Sequence, residues 1–144
     1  MATDRRADVT WQGSLTDGSG TIRSTTSGAI GEQQVTWASR SQEPGGKTSP
    51  EELIAAAHAS CFSMALAHGL AQAGNAPDEL RTSATVTFQP GEGITRIALT
   101  VEGRVPGLDE QAFRAAAEDA KANCPVSKAL ASVPEITLDA SLAS

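Results

Sequence analysis

Two cysteines in 144 residues, 63 positions apart, are too few to staple a small secreted fold, and they lack the CxxC spacing of a zinc ribbon or a thioredoxin-like centre. Positive charge is also scarce. Eleven Lys and Arg stand against 17 Asp and Glu, a net charge of −6 with no basic cluster to offset it, which argues against a nucleic-acid partner. The opening MATDRRADVT has two Arg but no apolar run behind them. It does not read as a secretory signal, so a cytoplasmic location is the default expectation. A persistent structural disulfide is not expected in that reducing compartment, which leaves Cys61 and Cys124 as buried inert thiols or as a working pair. There is no internal repeat and no disordered tail of any size. Thirteen Gly, seven Pro and 19% charged residues make an ordinary globular composition, and the length suits one domain over residues 1–144.

The longest absence is of charge. From Leu53 to Ala71 no ionisable acid, Lys or Arg occurs for 19 positions, inside TSPEELIAAAHASCFSMALAHGLAQAG. The helix start is explicit: Ser49 as cap, Pro50 at the first helical position and Glu52 three after the cap for a capping box, with Gly74 to end it. A helix without a charged face must be surrounded by protein. A membrane span needs about 20 predominantly apolar residues, but seven of these 19 are Ala, diluted further by two His, two Ser and a Gly. A buried central helix is therefore the reading, with no membrane partner.

Around it, Val9 and Trp11 alternate with polar residues, Asp17-Gly18-Ser19-Gly20 turns into a polar strand near residues 21–26, and Val35 and Trp37 share a face of a third strand ending at Arg40. A Gly/Pro loop then leads to the helix. After it, Ala84, Val86 and Phe88, then Ile97, Leu99 and Val101, make a hairpin with one apolar face. Asp109 caps a further helix whose apolar stripe is Phe113, Ala116, Ala117, Ala120 and Cys124, opposite a charged face of Glu110, Arg114, Glu118 and Lys121. Pro125 breaks that helix and begins a short one through Ala131, so Cys124 falls at a helix junction. Ile136, Leu138, Ala140 and Leu142 alternate as a last strand. The order βββ-α-ββ-αα-β predicts an α+β fold with helices on one side of antiparallel sheet. Trp37 and Phe113 are expected in the core.

A nucleophilic thiol needs thiolate character. Cys61 lies mid-helix and gains little from its own helix dipole, so activation must come from elsewhere, most naturally from a guanidinium. On composition alone Cys61 is as readily a small core residue. Glu51 would serve as a first-turn helix carboxylate and Arg40 as a strand-end surface charge. His58, three before Cys61, and His68, seven after it, read as packing or interface histidines, since about 10 Å of axial rise separates His68 from Cys61 and no metal is implied.

SPEELIAAAHASCFSMAL together with NCPVSKAL resembles the OsmC/Ohr family, the osmotically inducible protein C and organic hydroperoxide resistance proteins, over essentially the whole chain. The resemblance implies a cofactor-free thiol peroxidase with an OsmC-like fold and an intertwined homodimer. Residue by residue, it implies that Cys61 is the peroxidatic cysteine, oxidised to a sulfenic acid. Cys124 becomes the resolving cysteine that condenses with it to an intramolecular disulfide. Glu51 becomes the carboxylate that holds an arginine, Arg40. In the organic hydroperoxide resistance branch that arginine sits in the first hairpin. Here LTDGSGTI has none and the nearest is Arg23, which places the chain nearer the OsmC branch.

Ten residues of helix rise about 15 Å, so Glu51 cannot touch Cys61 on one straight helix. Either the helix breaks, or Arg40 and Glu51 serve the Cys61 of another chain, which a C₂ dimer would do twice. Phe62, Met64 and Leu66 are expected to give apolar surroundings suited to an alkyl or lipid hydroperoxide. The implied reductant is a dithiol, such as lipoyl groups on partner proteins. Two other classes stay open on the same cysteines: a redox sensor or small-molecule binding module, and a dimeric structural protein with inert thiols.

Overall fold

The computed structural model describes residues 1–143, which divide into two compact units, one of residues 1–53 and one beginning at Ile54. The first unit holds β1 (Ala7–Gln12), β2 (Ser19–Thr25) and β3 (Gln33–Val35), an antiparallel sheet in that order. Trp11 lies opposite Gly20, where a Cβ would stand 2.6 Å from the Trp11 ring. A side chain there is excluded, so the ring can lie on the backbone of β2.

The third strand does not run to Arg40. It stops at Val35, and Trp37–Ser41 forms a short helix, α1, with Arg40 in its last turn. The reason is local. Thr36 caps α1 by accepting from Ser39 N at 3.0 Å, while Ser39 Oγ accepts from Thr36 N at 2.9 Å. Ser39 Oγ also donates to the Thr48 carbonyl at 2.9 Å, tying α1 to the segment that enters the long helix α2 (Pro50–Gln72). Ser49 Oγ accepts from Glu52 N at 3.1 Å, as expected of the cap. The Glu52 carboxylate does not close the expected box; it accepts from Thr48 Oγ1 at 2.8 Å.

The second unit begins within α2 and contains β4 (Glu79–Gln89), β5 (Gly93–Arg104), α3 (Glu110–Asn123), α4 (Pro125–Ala129) and β6 (Glu135–Leu142). β4 and β5 form the expected antiparallel hairpin, but β6 pairs parallel to β5, from Arg96 with Glu135 to Gly103 with Leu142. The sheet is therefore mixed. Parallel neighbours need a crossover, and α3 with α4 supplies it. The core joins Phe62, Leu66 and Leu70 of α2 to Ile97, Leu99 and Val101 of β5 and to Phe113, Ala117 and Ala120 of α3. Asp109 caps α3 through Ala112 N at 2.8 Å. Phe113 is fully buried, whereas Trp37 in the first unit is only half-buried.

The long helix is less covered than its lack of charge suggests. By length and composition alone it could cross a membrane, with a mean hydropathy of 1.4 over its most apolar 18 residues, but Phe62, Leu66 and Leu70 anchor it in a protein core. Its other face, with Ala56, Ala57, Ser60 and Met64, is exposed in the single chain, and Met64 is 73% exposed.

Candidate active site

The expected site residues fall into two sets, one in each unit. In the first, Arg40 at the end of α1 meets Glu51 in the first turn of α2. Nε donates to Oε1 at 3.0 Å and to Oε2 at 3.2 Å, and Nη2 donates to Oε2 at 2.9 Å. The Glu51 side chain is 7% exposed and that of Arg40 32%. A carboxylate that deep needs its partner, and the fork geometry fixes the guanidinium plane.

Arg40 also lines an apolar cavity of about 310 Å³ with Val9, Trp11, Leu15, Ile22 and Trp37. It is the sole charged residue among those lining the cavity. The expected apolar surroundings were placed elsewhere: Phe62 and Leu66 are fully buried in the other unit's core, and Met64 is exposed. The Val9/Trp11 and Val35/Trp37 alternations carried the signal for this cavity, since apolar residues on a small, thinly covered sheet face line a pocket as readily as a core. Arg23 is not at the cavity; it pairs with Glu32 at 3.7 Å on the surface.

In the second unit, the two free thiols meet. Cys61 is half-buried on α2, and Cys124 is fully buried where α3 ends and α4 begins. Cys61 packs against the buried cluster that includes Cys124, and each thiol shifts the proton affinity of the other. Burial would raise Cys124, but the Cys61 thiol, the N–H groups of Ser127 and Val126 and the Ser127 hydroxyl outweigh it and hold Cys124 below the ordinary thiol range. Burial and the Cys124 thiol push Cys61 up, against the pull of Val126 N–H. Of the two thiols, Cys124 is therefore held lower and Cys61 higher than the ordinary thiol range.

Behind Cys124, His58 is fully buried with Nε2 2.7 Å from Ser127 Oγ, and its Nδ1 has no partner. Burial lowers its basicity. Ser127 belongs to no motif of its own, and its place in the first turn after Cys124-Pro125 is the one signal the sequence carries for it. His68 is exposed, and among the described residues no group of three or more His, Cys, Asp or Glu is gathered to hold a metal ion.

Residues 43–139, which include Glu51 and both cysteines, match the sequence pattern of the family described as OsmC-like protein. The chain belongs to the OsmC family. Peroxiredoxin OsmC of Escherichia coli is 43% identical to it over 147 residues, covering all of both chains. Among solved structures, OsmC-like protein from Mycoplasma pneumoniae superposes with a TM-score of 0.69 at 17% identity, covering 99% of this chain and 100% of that one. The organic hydroperoxide resistance protein OhrB of Bacillus subtilis gives 0.65 at 24%, covering 96% and 98%. The α+β OsmC fold read from the sequence is thus the observed one, with the short α1 and the parallel β6 as its corrections.

Proposed function

We propose that this OsmC-family peroxidase reduces organic hydroperoxides, in preference to hydrogen peroxide, through Cys61 with Cys124 as the resolving thiol. The Cys61 thiolate attacks one peroxide oxygen: an S–O bond forms, the O–O bond breaks, and the alcohol leaves after taking a proton. Cys124 then displaces hydroxide from the Cys61 sulfenic acid, forming the disulfide and water. A dithiol such as the lipoyl group of a partner protein reduces the disulfide, consistent with a reducing, cytoplasmic setting. The observation that carries this reading is the meeting of two free thiols that lie 63 residues apart in sequence.

The raised Cys61 needs a cation. Because α2 runs unbroken from Pro50 to Gln72, Glu51 and Cys61 of one chain are separated by about 15 Å of helix rise. The reading is therefore a homodimer in which Arg40, held by Glu51, faces the Cys61 of the other copy, favours its thiolate and hydrogen-bonds the peroxide oxygens. The exposed, uncharged face of α2 supports this, since a face of that composition is expected to be covered. The apolar cavity beside Arg40 fits an alkyl chain whose peroxide end lies at the guanidinium.

The test is dithiol-dependent turnover of purified protein with cumene hydroperoxide and hydrogen peroxide in parallel, with Cys61→Ser and Cys124→Ser beside the unaltered protein. Faster turnover of the organic peroxide, abolished by Cys61→Ser, is expected. Consumption of neither peroxide by the unaltered protein would instead favour a redox sensor or binding module.

A further inference from the structure

His58 and Ser127 form a polar pair in an otherwise apolar core, 0% and 7% exposed, at 2.7 Å. Nothing in the packing of Phe62, Leu66 and Phe113 calls for a histidine there, and a buried imidazole with an unpartnered Nδ1 costs stability that an apolar side chain would not. The pair does have an outlet. Ser127 stands three residues after Cys124 in the first turn of α4, and its hydroxyl is among the groups that lower the Cys124 thiol, so a thread of polar groups leads from His58 through Ser127 to Cys124 and on to Cys61.

The direction of that thread follows from counting hydrogens. A serine hydroxyl has one hydrogen. If it points to Cys124, the oxygen can only accept from His58, so Nε2 must carry the ring proton and the orphaned Nδ1 is a bare lone pair. If it points to His58, Nε2 must be the acceptor and the ring proton sits on Nδ1, leaving a buried N–H without an acceptor. The first arrangement strands no donor. Burial also disfavours the protonated form of His58, in keeping with this arrangement.

We propose that His58 and Ser127 are positioning residues for disulfide formation: His58 Nε2–H donates to Ser127 Oγ, whose hydrogen is thereby aimed at Cys124 Sγ and holds it as the attacking thiolate. This rests on the peroxidase reading and assigns the pair to its second step. In that step the Cys124 sulfur attacks the sulfenic sulfur of Cys61, the S–S bond forms, the S–O bond breaks, and the departing hydroxide takes a proton from solvent to leave as water. Cys61 and Cys124 together are oxidised from the two-thiol state by the one hydroperoxide already consumed.

The experiment is a single turnover: reduced protein receives one equivalent of cumene hydroperoxide, and peroxide loss and disulfide formation are followed separately. Ser127→Ala is expected to slow disulfide formation about tenfold or more relative to peroxide loss, letting a sulfenic acid accumulate that dimedone traps, in line with the loss of one hydrogen bond to a charged group. Ser127→Thr keeps the hydroxyl and is expected to restore the rate. His58→Gln, whose amide N–H can stand near the place of Nε2–H, should outpace His58→Leu in the same step. A Ser127→Ala protein that closes the disulfide at the unaltered rate would overturn the proposal, as would equal slowing of both steps with no recovery in Ser127→Thr. Should the unaltered protein consume no hydroperoxide, the peroxidase reading itself fails and this assignment falls with it; the two failures are separate observations.

Discussion

Arg40 and Glu51 are joined by three hydrogen bonds of 2.9 to 3.2 Å, with the carboxylate the more deeply buried partner. Such a grip fixes a guanidinium in one plane, which a point charge on a flexible stem cannot do. Arg40→Lys is therefore expected to lower the second-order rate constant for cumene hydroperoxide about 10- to 100-fold, and Glu51→Gln to lower it by a similar factor, as expected for one charge-assisted hydrogen bond. Stopped-flow peroxide consumption measures both. Rates within twofold of the unaltered protein would remove the pair from the chemistry.

Arg40→Ala has a second consequence. It strands the buried Glu51 carboxylate, so a loss of about 2 kcal/mol in unfolding free energy is expected, below the range for fully buried pairs because Arg40 itself is about a third exposed. Urea unfolding of the single variant and of Arg40→Ala/Glu51→Ala checks this; the double variant should recover part of the loss.

The exposed face of α2 leads to an assembly prediction. Placing a charge there, as Met64→Lys or Ala57→Glu, should turn the proposed dimer into a monomer in sedimentation analysis. The monomer should keep both cysteines and lose hydroperoxide turnover by about tenfold or more, since on the proposed function the guanidinium that favours the Cys61 thiolate comes from the other copy. A monomeric variant with full turnover would place the activating cation within one chain.

Stability should depend on His58 in a definite direction. Its folded proton affinity lies below the ordinary value of 6.5, so between those limits the unfolded chain binds a proton that the folded chain refuses. The stability this gives is complete above pH 6.5 and falls as the pH drops through that value toward the folded one. The thermal midpoint of the unaltered protein should thus fall more steeply from pH 7 to pH 5 than that of His58→Gln. Parallel slopes would mean that His58 is protonated alike in both states.

At Gly103 a Cβ would lie 2.5 Å from two ring atoms of the fully buried Phe113. Gly103→Ala is expected to cost about 1 to 3 kcal/mol by overpacking, read as a lowered urea midpoint with an unchanged slope. An unchanged midpoint would mean that the ring moves aside without cost.

What the sequence disclosed, and what it withheld, has physical causes. The start of α2 was legible because Ser49 and Pro50 act within one turn, and the α3 break because Pro125 cannot continue a helix. The short α1 was hidden: Val35 and Trp37 keep the two-residue period of a strand, and its capping box closes with Ser39 where Glu or Gln is the usual signal. Alternation in β6 gave a strand but no direction, which comes from the crossover through α3 and α4. The lack of charge along α2 led to the expectation of a helix covered all round, whereas in the single chain Phe62, Leu66 and Leu70 are buried and the face with Ala56, Ala57, Ser60 and Met64 is exposed. The motif named the cysteines, Arg40 and Glu51 as candidates, of which the structure joins Arg40 to Glu51, while the His58–Ser127 contact joins residues 69 apart and had no local signature.

The most direct measurement is to treat reduced protein with one equivalent of cumene hydroperoxide and map its cross-links by mass spectrometry under denaturing, non-reducing conditions. The account predicts one intramolecular disulfide between Cys61 and Cys124, one peroxide consumed per disulfide formed, and neither event in Cys61→Ser. Both thiols remaining free with the peroxide intact, or a disulfide linking two chains in place of the intramolecular one, would contradict it.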